Sequence, residues 1–272
     1  MASKLTEEQL MLLDSLIYLK WEKMEIQGSE KPKISDVIQY AKDKTSTFWA
    51  ENKETKIVGS YNPVETKKYH CFMNEYEWKK ILELIEKDEI LMNLEIRSIH
   101  WNPSIDDRKT DDNTIKEESI DTTLYTGSKA VVFTEENGKN PVVIFRGTSN
   151  REGWQDNGEG GYLADTPAQK GALKLIENLS EKYKDITVSG HSKGGNLSEY
   201  VTLLSNNVVR GLSFDGQGFS SEFYEKHRAA IDKNINKVKK YSHIYDYVNT
   251  LLFTECETVY IKGNKSNLIL YD

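Results

Sequence analysis

The stretch Ile186–Leu204, ITVSGHSKGGNLSEYVTLL, changes its hydrophobic period at its centre. Apolar and polar residues alternate from Ile186 to Ser189, which predicts a half-buried strand. From Leu197 onward, apolar residues recur every three or four positions, which predicts a helix. The residues between them, Gly190–Gly195, must therefore turn the chain from strand to helix within a few positions.

That turn carries the pattern G-x-S-x-G, with Ser192 between Gly190 and Gly194. When a strand turns at once into a helix, side chains two residues before and after the serine would collide with the turn. Such a nucleophile elbow lifts the serine hydroxyl above the sheet edge and places the Lys193 N–H at a helix N-terminus, where it can bind an oxyanion. The alternative is a structural glycine-rich turn, although the sequence carries neither the P-loop nor the dinucleotide-binding spacing.

The composition limits the class of protein. The chain has 272 residues, 38% hydrophobic content and a net charge of −7. It can therefore bury a sizeable core, and its acidic balance argues against a nucleic-acid partner. Two cysteines, Cys71 and Cys256, form neither a disulfide framework nor a metal-binding spacing, so we expect them to be structural.

The sequence also bears on where the protein acts. Its first residues, MASKLTEEQL, contain no apolar signal-peptide core, and no apolar run is long enough to span a bilayer. These features leave two locations open: the cytoplasm, or the outside of the cell after export by a route that needs no signal peptide.

The chain divides into two parts near residue 125. Residues 1–125 are expected to form a mainly helical N-terminal region that packs on the core; the pattern T-E-E-Q at Thr6 is a capping box. Within this part, the polar segment 106–121 is expected to be a solvated loop. Asp111 and Asp112 in that loop are a weak candidate for a cation site, because nothing fixes the ligand geometry.

Residues 126–272 alternate between strands and helices. Two apolar runs on either side of Asn137-Gly138 predict a hairpin, and Thr166-Pro-Ala-Gln predicts a helix start. Further strands are expected at Val209–Phe214, Val238–His243 and Thr258–Lys262, with a helix between the first two. This alternation predicts an α/β fold with a mostly parallel central sheet flanked by helices.

Five motifs follow one another between Phe145 and Phe219: FRGT, GW, PAQ, GHSKGGNL and DGQGF. In this order they resemble the class 3 lipases of the α/β-hydrolase fold. The resemblance is strongest to a bacterial branch of lipase-like proteins of largely unassigned function, which includes catalytic domains of secreted lipase toxins. It covers about residues 125–272 and implies hydrolysis of lipid acyl esters at a membrane surface, without metal or cofactor. A toxin domain would also have an immunity or secretion partner protein.

The resemblance implies roles for individual residues. Ser192 is the nucleophile, and the backbone N–H groups of Thr148 and Lys193 form the oxyanion hole. Arg146 anchors its loop through a buried ion pair. The segment Ser149–Ala164 stands where class 3 lipases carry a lid, and its glycines would permit hinge motion. Two aromatic residues of that segment would then meet a lipid surface, Trp154 and Tyr162, although Trp154 is equally well explained as a packed aromatic.

A nucleophilic serine needs a base, and the base needs an orienting acid. In this fold the chain order is serine, acid, histidine. Asp246, in DYVN, resembles the D-I-V-P segment that carries the acid in class 3 lipases, so it is the favoured acid. Asp215, in DGQGF, is the alternative; its other interpretation is a residue that caps that turn.

No histidine follows Asp246 in this sequence. His191 is expected to point away from Ser192 and His227 to lie on a helix surface, while His243 would have to act from before the acid. Either the base lies beyond the last residue of a longer protein, which the abrupt apolar end favours, or the base is lost. Two other functions therefore stay open: a non-catalytic binding module, and an amidase or thioesterase with the same nucleophile.

Overall fold

The computed structural model describes residues 3–21, 31–45, 48, 56–57, 70–71, 75–110, 120–244 and 246–262. Asp111, Asp112 and the chain end after residue 262 lie outside the described residues, and so does the predicted cation site. In the described part of the chain, the structure contains no helix with the length and apolar content that a membrane span requires.

Helices and strands alternate through the described residues. They are α1 (Glu7–Leu16), α2 (Ile34–Asp43), β1 (Lys56–Ile57), β2 (His70–Cys71), α3 (Glu75–Glu86), α4 (Glu89–Met92), β3 (Glu95–Trp101), α5 (Ile105–Thr110), β4 (Lys129–Glu135), β5 (Lys139–Phe145), α6 (Arg151–Glu159), α7 (Pro167–Ser180), β6 (Ile186–His191), α8 (Lys193–Leu204), β7 (Val208–Phe214), α9 (Ser221–Asn234), β8 (Val238–His243) and β9 (Glu257–Ile261).

In the part of the chain that the structure describes, the central sheet has seven strands, which lie in chain order from β3 to β9. The pairs β3–β4 and β4–β5 are antiparallel, and the four pairs from β5 to β9 are parallel. Apolar residues pack on both faces: the N-terminal helices cover one face, and α7, α8 and α9 cover the other. A mostly parallel sheet with helices on both faces confirms the predicted α/β class.

Three strands lie in the described residues of the part that we expected to be mainly helical: the short pair β1–β2, and β3, which joins the central sheet. Glu95–Trp101 forms the edge strand β3 and pairs with β4. The alternation of apolar residues in EIRSIHW is broken by a bulge between Ile96 and Ser98, which hides the period of two from the sequence. The start of the predicted polar loop is also ordered: α5 spans Ile105–Thr110 and is capped by reciprocal hydrogen bonds between Ser104 and Asp107.

The first helix, α1, packs directly on the sheet. Thr6 and Gln9 form the predicted capping box at its start. Leu10, Leu13 and Leu16 are fully buried in the core cluster that also contains residues of β4 and β5. Burial of these leucines stabilises the sheet and the N-terminal helices together, because the same apolar contacts belong to both.

Replacing Leu13 with alanine should therefore destabilise the whole protein. The cavity left by a fully buried leucine costs about 2–5 kcal/mol of the free energy of unfolding. The same change at Met11, which is 45% exposed on the same helix, should cost less than about 0.5 kcal/mol. Urea unfolding followed by tryptophan fluorescence measures both; equal losses for the two variants would contradict this packing.

Candidate active site

Ser192 lies at the junction of β6 and α8 with φ 56° and ψ −122°. A residue with a side chain rarely adopts a positive φ, and holding it there costs about 1–3 kcal/mol. The strand before it runs parallel to both neighbours, so the serine stands at the carboxyl edge of the sheet. The sharp strand-to-helix turn predicted from the sequence is therefore present, with its strain on Ser192.

The two flanking glycines are required by close backbone approaches. A Cβ on Gly194 would lie 2.0 Å from the Phe145 carbonyl oxygen, and one on Gly190 would lie 2.3 Å from the Gly194 carbonyl carbon. Both distances are far inside van der Waals contact. The start of α8 thus packs backbone to backbone on the end of β5, and only glycine allows it.

The loop after β5 packs against the same turn. A Cβ on Gly147 would lie 2.2 Å from the Tyr18 hydroxyl, 2.7 Å from the His191 carbonyl oxygen and 3.3 Å from the Ser192 Cβ. Thr148, the next residue, is nearly fully buried. The structure therefore brings the loop that carries Thr148 to Ser192, and it adds Tyr18 from the N-terminal region, which sequence reasoning missed.

Lys193 is the first residue of α8, where the N–H groups have no partner within the helix. Its side chain forms an ion pair with the carboxylate of Asp156, at 2.5 Å, and both side chains are buried. Burial lowers the pKa of Lys193, and Asp156 opposes that change. Asp156 also accepts hydrogen bonds from the Thr166 hydroxyl and the Ala168 N–H. This pair ties α6 and the start of α7 to the Ser192 turn.

The segment expected to be a lid forms the helix α6 and its flanking turns. Asn150 caps the helix by accepting a hydrogen bond from the Gly153 N–H, and Asn157 donates to the Thr148 hydroxyl at 2.9 Å. Two of the glycines expected to act as hinges, Gly153 and Gly158, lie inside the helix. The segment is thus anchored to the residues it was expected to cover.

A side-chain amide in α8 joins three of the sequence motifs. The side-chain oxygen of Asn196, Oδ1, accepts a hydrogen bond from Gln169 Nε2 at 2.9 Å. Asn196 Nδ2 donates to the carbonyl oxygens of Gln217 and Gly218, both at 3.2 Å. All these groups are buried, so PAQ, GHSKGGN and DGQGF are held together by one polar network.

The two candidate acids lie after neighbouring strands and differ in their surroundings. Burial raises the pKa of Asp246 to about 6, and Asp215 adds to the rise, while a hydrogen bond from the Val248 N–H opposes it. Asp215 has φ 52° and accepts hydrogen bonds from the His243 N–H at 2.6 Å and from Asn249 Nδ2 at 3.4 Å. Asp215 therefore fastens the loop after β8 to the end of β7.

The histidines whose side chains are described have different partners. His191 Nδ1 bonds to the Tyr18 hydroxyl at 3.0 Å, and burial lowers the pKa of His191. His227, which we expected on a helix surface, instead bonds to Asp165 at 2.6 Å. His243 lies close enough to Asp246 to lower the pKa of that carboxyl. Arg146, expected to form an ion pair, donates a hydrogen bond to the Gly127 carbonyl at 2.8 Å.

A cavity of about 290 Å³ lies beside the turn, between α1 and the ends of the strands. His191, Asp215 and His243 line it together with Asp14, a buried carboxyl that accepts a hydrogen bond from Ser189. Burial raises the pKa of Asp14 well above its ordinary value. Within the described ranges, no group of three or more histidine, cysteine or acidic side chains is placed to hold a metal ion.

The strain at Ser192 can be measured as stability. Replacing Ser192 with glycine removes the penalty of a positive φ, whereas alanine keeps it. Glycine also increases the entropy of the unfolded chain, which offsets part of this gain. The net free energy of unfolding of the glycine variant should still be about 1 kcal/mol higher than that of the alanine variant. Urea titration of both variants tests this, and a glycine variant that is less stable than the alanine variant would show that the turn is unstrained.

The geometry can be set beside known proteins. A family model described as Mbeg1-like matches residues 113–271. The sequence matches none of the curated proteins with which it was compared.

A fungal lipase in complex with an inhibitor aligns at 15% identity and a TM-score of 0.38, over 59% of this chain and 61% of the lipase. Lip2 lipase from Yarrowia lipolytica aligns at 12% identity and a TM-score of 0.40, over 80% of this chain and 79% of that lipase. Because the family model covers more than half of its residues, the chain belongs to the Mbeg1-like family.

Proposed function

We propose that this chain is a serine carboxylic-ester hydrolase that acts on lipid acyl esters through an acyl-enzyme on Ser192. The observation that carries the proposal is the strained backbone of Ser192 at the carboxyl edge of a parallel sheet, between two glycines that the packing requires. A turn of this kind presents a serine hydroxyl to a substrate above the sheet. Residues with strained backbone conformations tend to cluster at functional sites.

The oxyanion donors are the N–H groups of Lys193 and Thr148. As Ser192 Oγ attacks an ester carbonyl, negative charge develops on the carbonyl oxygen, and donors fixed in advance stabilise it. Both residues are held by α6: Lys193 through its ion pair with Asp156, and Thr148 through its hydrogen bond from Asn157. Losing one such donor typically lowers the rate by about 100- to 1,000-fold.

Asp246 is the proposed acid, and a histidine that it orients is the base. This histidine accepts the Ser192 proton and passes it to the leaving alcohol, after which water resolves the acyl-enzyme. Asp246 is buried and its pKa of about 6 leaves it ionised at neutral pH. Asp215 already accepts hydrogen bonds from the His243 N–H and from Asn249 Nδ2, which supports a role in holding the loop after β8 in place. Within the described residues, His243 is the histidine whose charge acts on Asp246.

Exposed apolar side chains favour a lipid substrate. The loop after β8, which contains Asp246, exposes five large apolar residues: Ile244, Tyr247, Leu251, Leu252 and Phe253. In α6 and just after it, Trp154 and Tyr162 are 36% and 63% exposed. Clustered apolar residues at a protein surface commonly mark contact with a membrane or another apolar partner. Both groups lie on segments that are fastened to the Ser192 turn.

The proposal is tested by hydrolysis of 4-nitrophenyl esters of increasing acyl length and of phosphatidylcholine vesicles. Wild-type protein should hydrolyse the esters, and Ser192→Ala should lose at least about 1,000-fold in kcat while retaining its fold. Ser221→Ala, at the exposed start of α9, is the matched control. Ester hydrolysis that persists in Ser192→Ala would refute the proposal. If amide or thioester analogues are cleaved faster than esters, the protein is an amidase or thioesterase with the same nucleophile. If vesicles bind without any turnover, the protein is a non-catalytic binding module.

The choice of acid predicts opposite effects of one substitution on activity and stability. Asp246→Asn should lower kcat by about 10⁴-fold, because the amide cannot stabilise the imidazolium, and Asp215→Asn should lower it much less. In the wild type, activity should fall as the pH drops through about 6, where Asp246 takes up a proton.

Stability should change in the other direction. The folded pKa of Asp246, about 6, exceeds the unfolded value of about 3.9, so the wild type loses stability as the pH rises between these values. Asp246→Asn removes that loss. Its advantage in melting temperature should grow from pH 4 to pH 6 and then stay constant. Greater loss of activity in Asp215→Asn than in Asp246→Asn would contradict the assignment.

Tyr18 is proposed as a positioning residue. The hydroxyl of this buried side chain bonds to His191 and lies against Gly147, the residue before Thr148. Tyr18→Phe should lower kcat about tenfold with unchanged KM, because a displaced donor weakens transition-state binding alone. Tyr76→Phe, on a tyrosine that is 75% exposed, is the control. An unchanged kcat, or a change in KM only, would contradict this role.

A further inference from the structure

We propose that Ser98, His100 and Asp121 form a second activated-serine site, separate from Ser192 and reactive toward small activated esters. Ser98 Oγ lies 2.8 Å from His100 Nε2, and His100 Nδ1 lies 2.6 Å from Asp121 Oδ2. The three groups are therefore connected in the order nucleophile, base, acid, each through the atom that this chemistry requires. They lie on and beside the edge strand β3, three strands away from β6.

The hydrogen bonds fix the direction of proton transfer. Burial acts to raise the pKa of Asp121, but hydrogen bonds from His100 and Thr123 hold it below its ordinary value. The ionised carboxylate can only accept, so His100 Nδ1 carries the proton between them. When the imidazole is neutral, Nε2 presents a lone pair and accepts the hydrogen bond of the Ser98 hydroxyl. The Thr123 N–H also donates to Asp121 Oδ1, at 2.9 Å, which orients the acid as a triad requires.

The arrangement follows from the local fold of β3. Residues two apart on a strand share a face, so Ser98 and His100 stand side by side. The Asp121 N–H donates to the Trp101 carbonyl at 2.9 Å, which brings the acid to the outer edge of β3. The side chains of His100 and Asp121 are 19% and 25% exposed. The site is thus open to a small reagent but partly shielded from water.

The strand edge also supplies a hydrogen-bond donor. The Trp101 carbonyl points away from β4, because it accepts from Asp121 outside the sheet. By the alternation of a strand, Ile99 turns its N–H toward the same outer edge. This N–H belongs to the residue that follows Ser98, the same relation that Lys193 bears to Ser192. A single donor of this kind gives weaker catalysis than the paired donors proposed at Ser192.

The reaction needs no other component than the ester and water. Ser98 Oγ forms a bond to the carbonyl carbon while the bond from that carbon to the leaving aryloxide breaks. His100 Nε2 takes the serine proton and delivers it to the aryloxide. Water then attacks the acyl group with His100 as base, which regenerates Ser98 and releases the acid. A fluorophosphonate reacts at the first step with loss of fluoride and stays attached.

The test uses a fluorophosphonate probe on the full chain in the Ser192→Ala background. Peptide mass spectrometry should find the adduct on Ser98. The labelling rate should fall at least tenfold when His100→Gln or Asp121→Asn is added, and Ser221→Ala should leave it unchanged. Circular dichroism confirms that each variant is folded.

Two results would overturn the proposal: no adduct on Ser98 in folded Ser192→Ala protein, or an adduct that forms at the same rate without His100. A failure here is distinguishable from a failure of the proposed function, because the two serines lie in different peptides. Ser98→Ala should leave hydrolysis of long-chain esters by Ser192 unchanged.

Discussion

The close approach of α8 to the end of β5 is the contact on which the candidate site depends. Gly194 packs so tightly on the Phe145 carbonyl that no side chain fits between them. With the helix start fixed there, the turn holds Ser192 at a positive φ, and Lys193 becomes the first residue of α8. The loop that follows Phe145 packs at the same point, because Gly147, the residue before Thr148, lies against the His191 carbonyl and Ser192.

Polar groups buried around this contact keep the strained turn in place. Each one joins α8 to a different part of the molecule. Lys193 pairs with Asp156 of α6, and Glu199 lies 3.6 Å from Lys240 of β8, with both side chains fully buried. Buried ion pairs add little net stability, because desolvation offsets their attraction, but breaking one is costly. Their effect here is to favour one packing arrangement of α6, α8 and β8 over alternative arrangements, in which a buried charge would lose its partner. The strain at Ser192 persists because the surrounding contacts leave it no relaxed alternative.

Local patterns in the sequence predict the turn well and its surroundings poorly. The change of period at Gly190, the hairpin at Gly138 and the capping box at Thr166 each depend on residues within a few positions, and all are present. The strand β3 was missed because its bulge breaks the alternation that identifies strands. The contacts from Tyr18 to His191 and from Asp156 to Lys193 join residues far apart in the chain. Periodicity carries no information about such pairs, since it reports only which face of an element is apolar.

The central claim is that Ser192 carries a covalent acyl group during turnover. Acid-quenching a reaction with a slowly hydrolysed 4-nitrophenyl ester, followed by peptide mass spectrometry, tests that claim directly. The peptide containing Ser192 should gain the mass of the acyl group, and the gain should disappear as the substrate is exhausted. Release of 4-nitrophenol without any acyl group on Ser192 would contradict it.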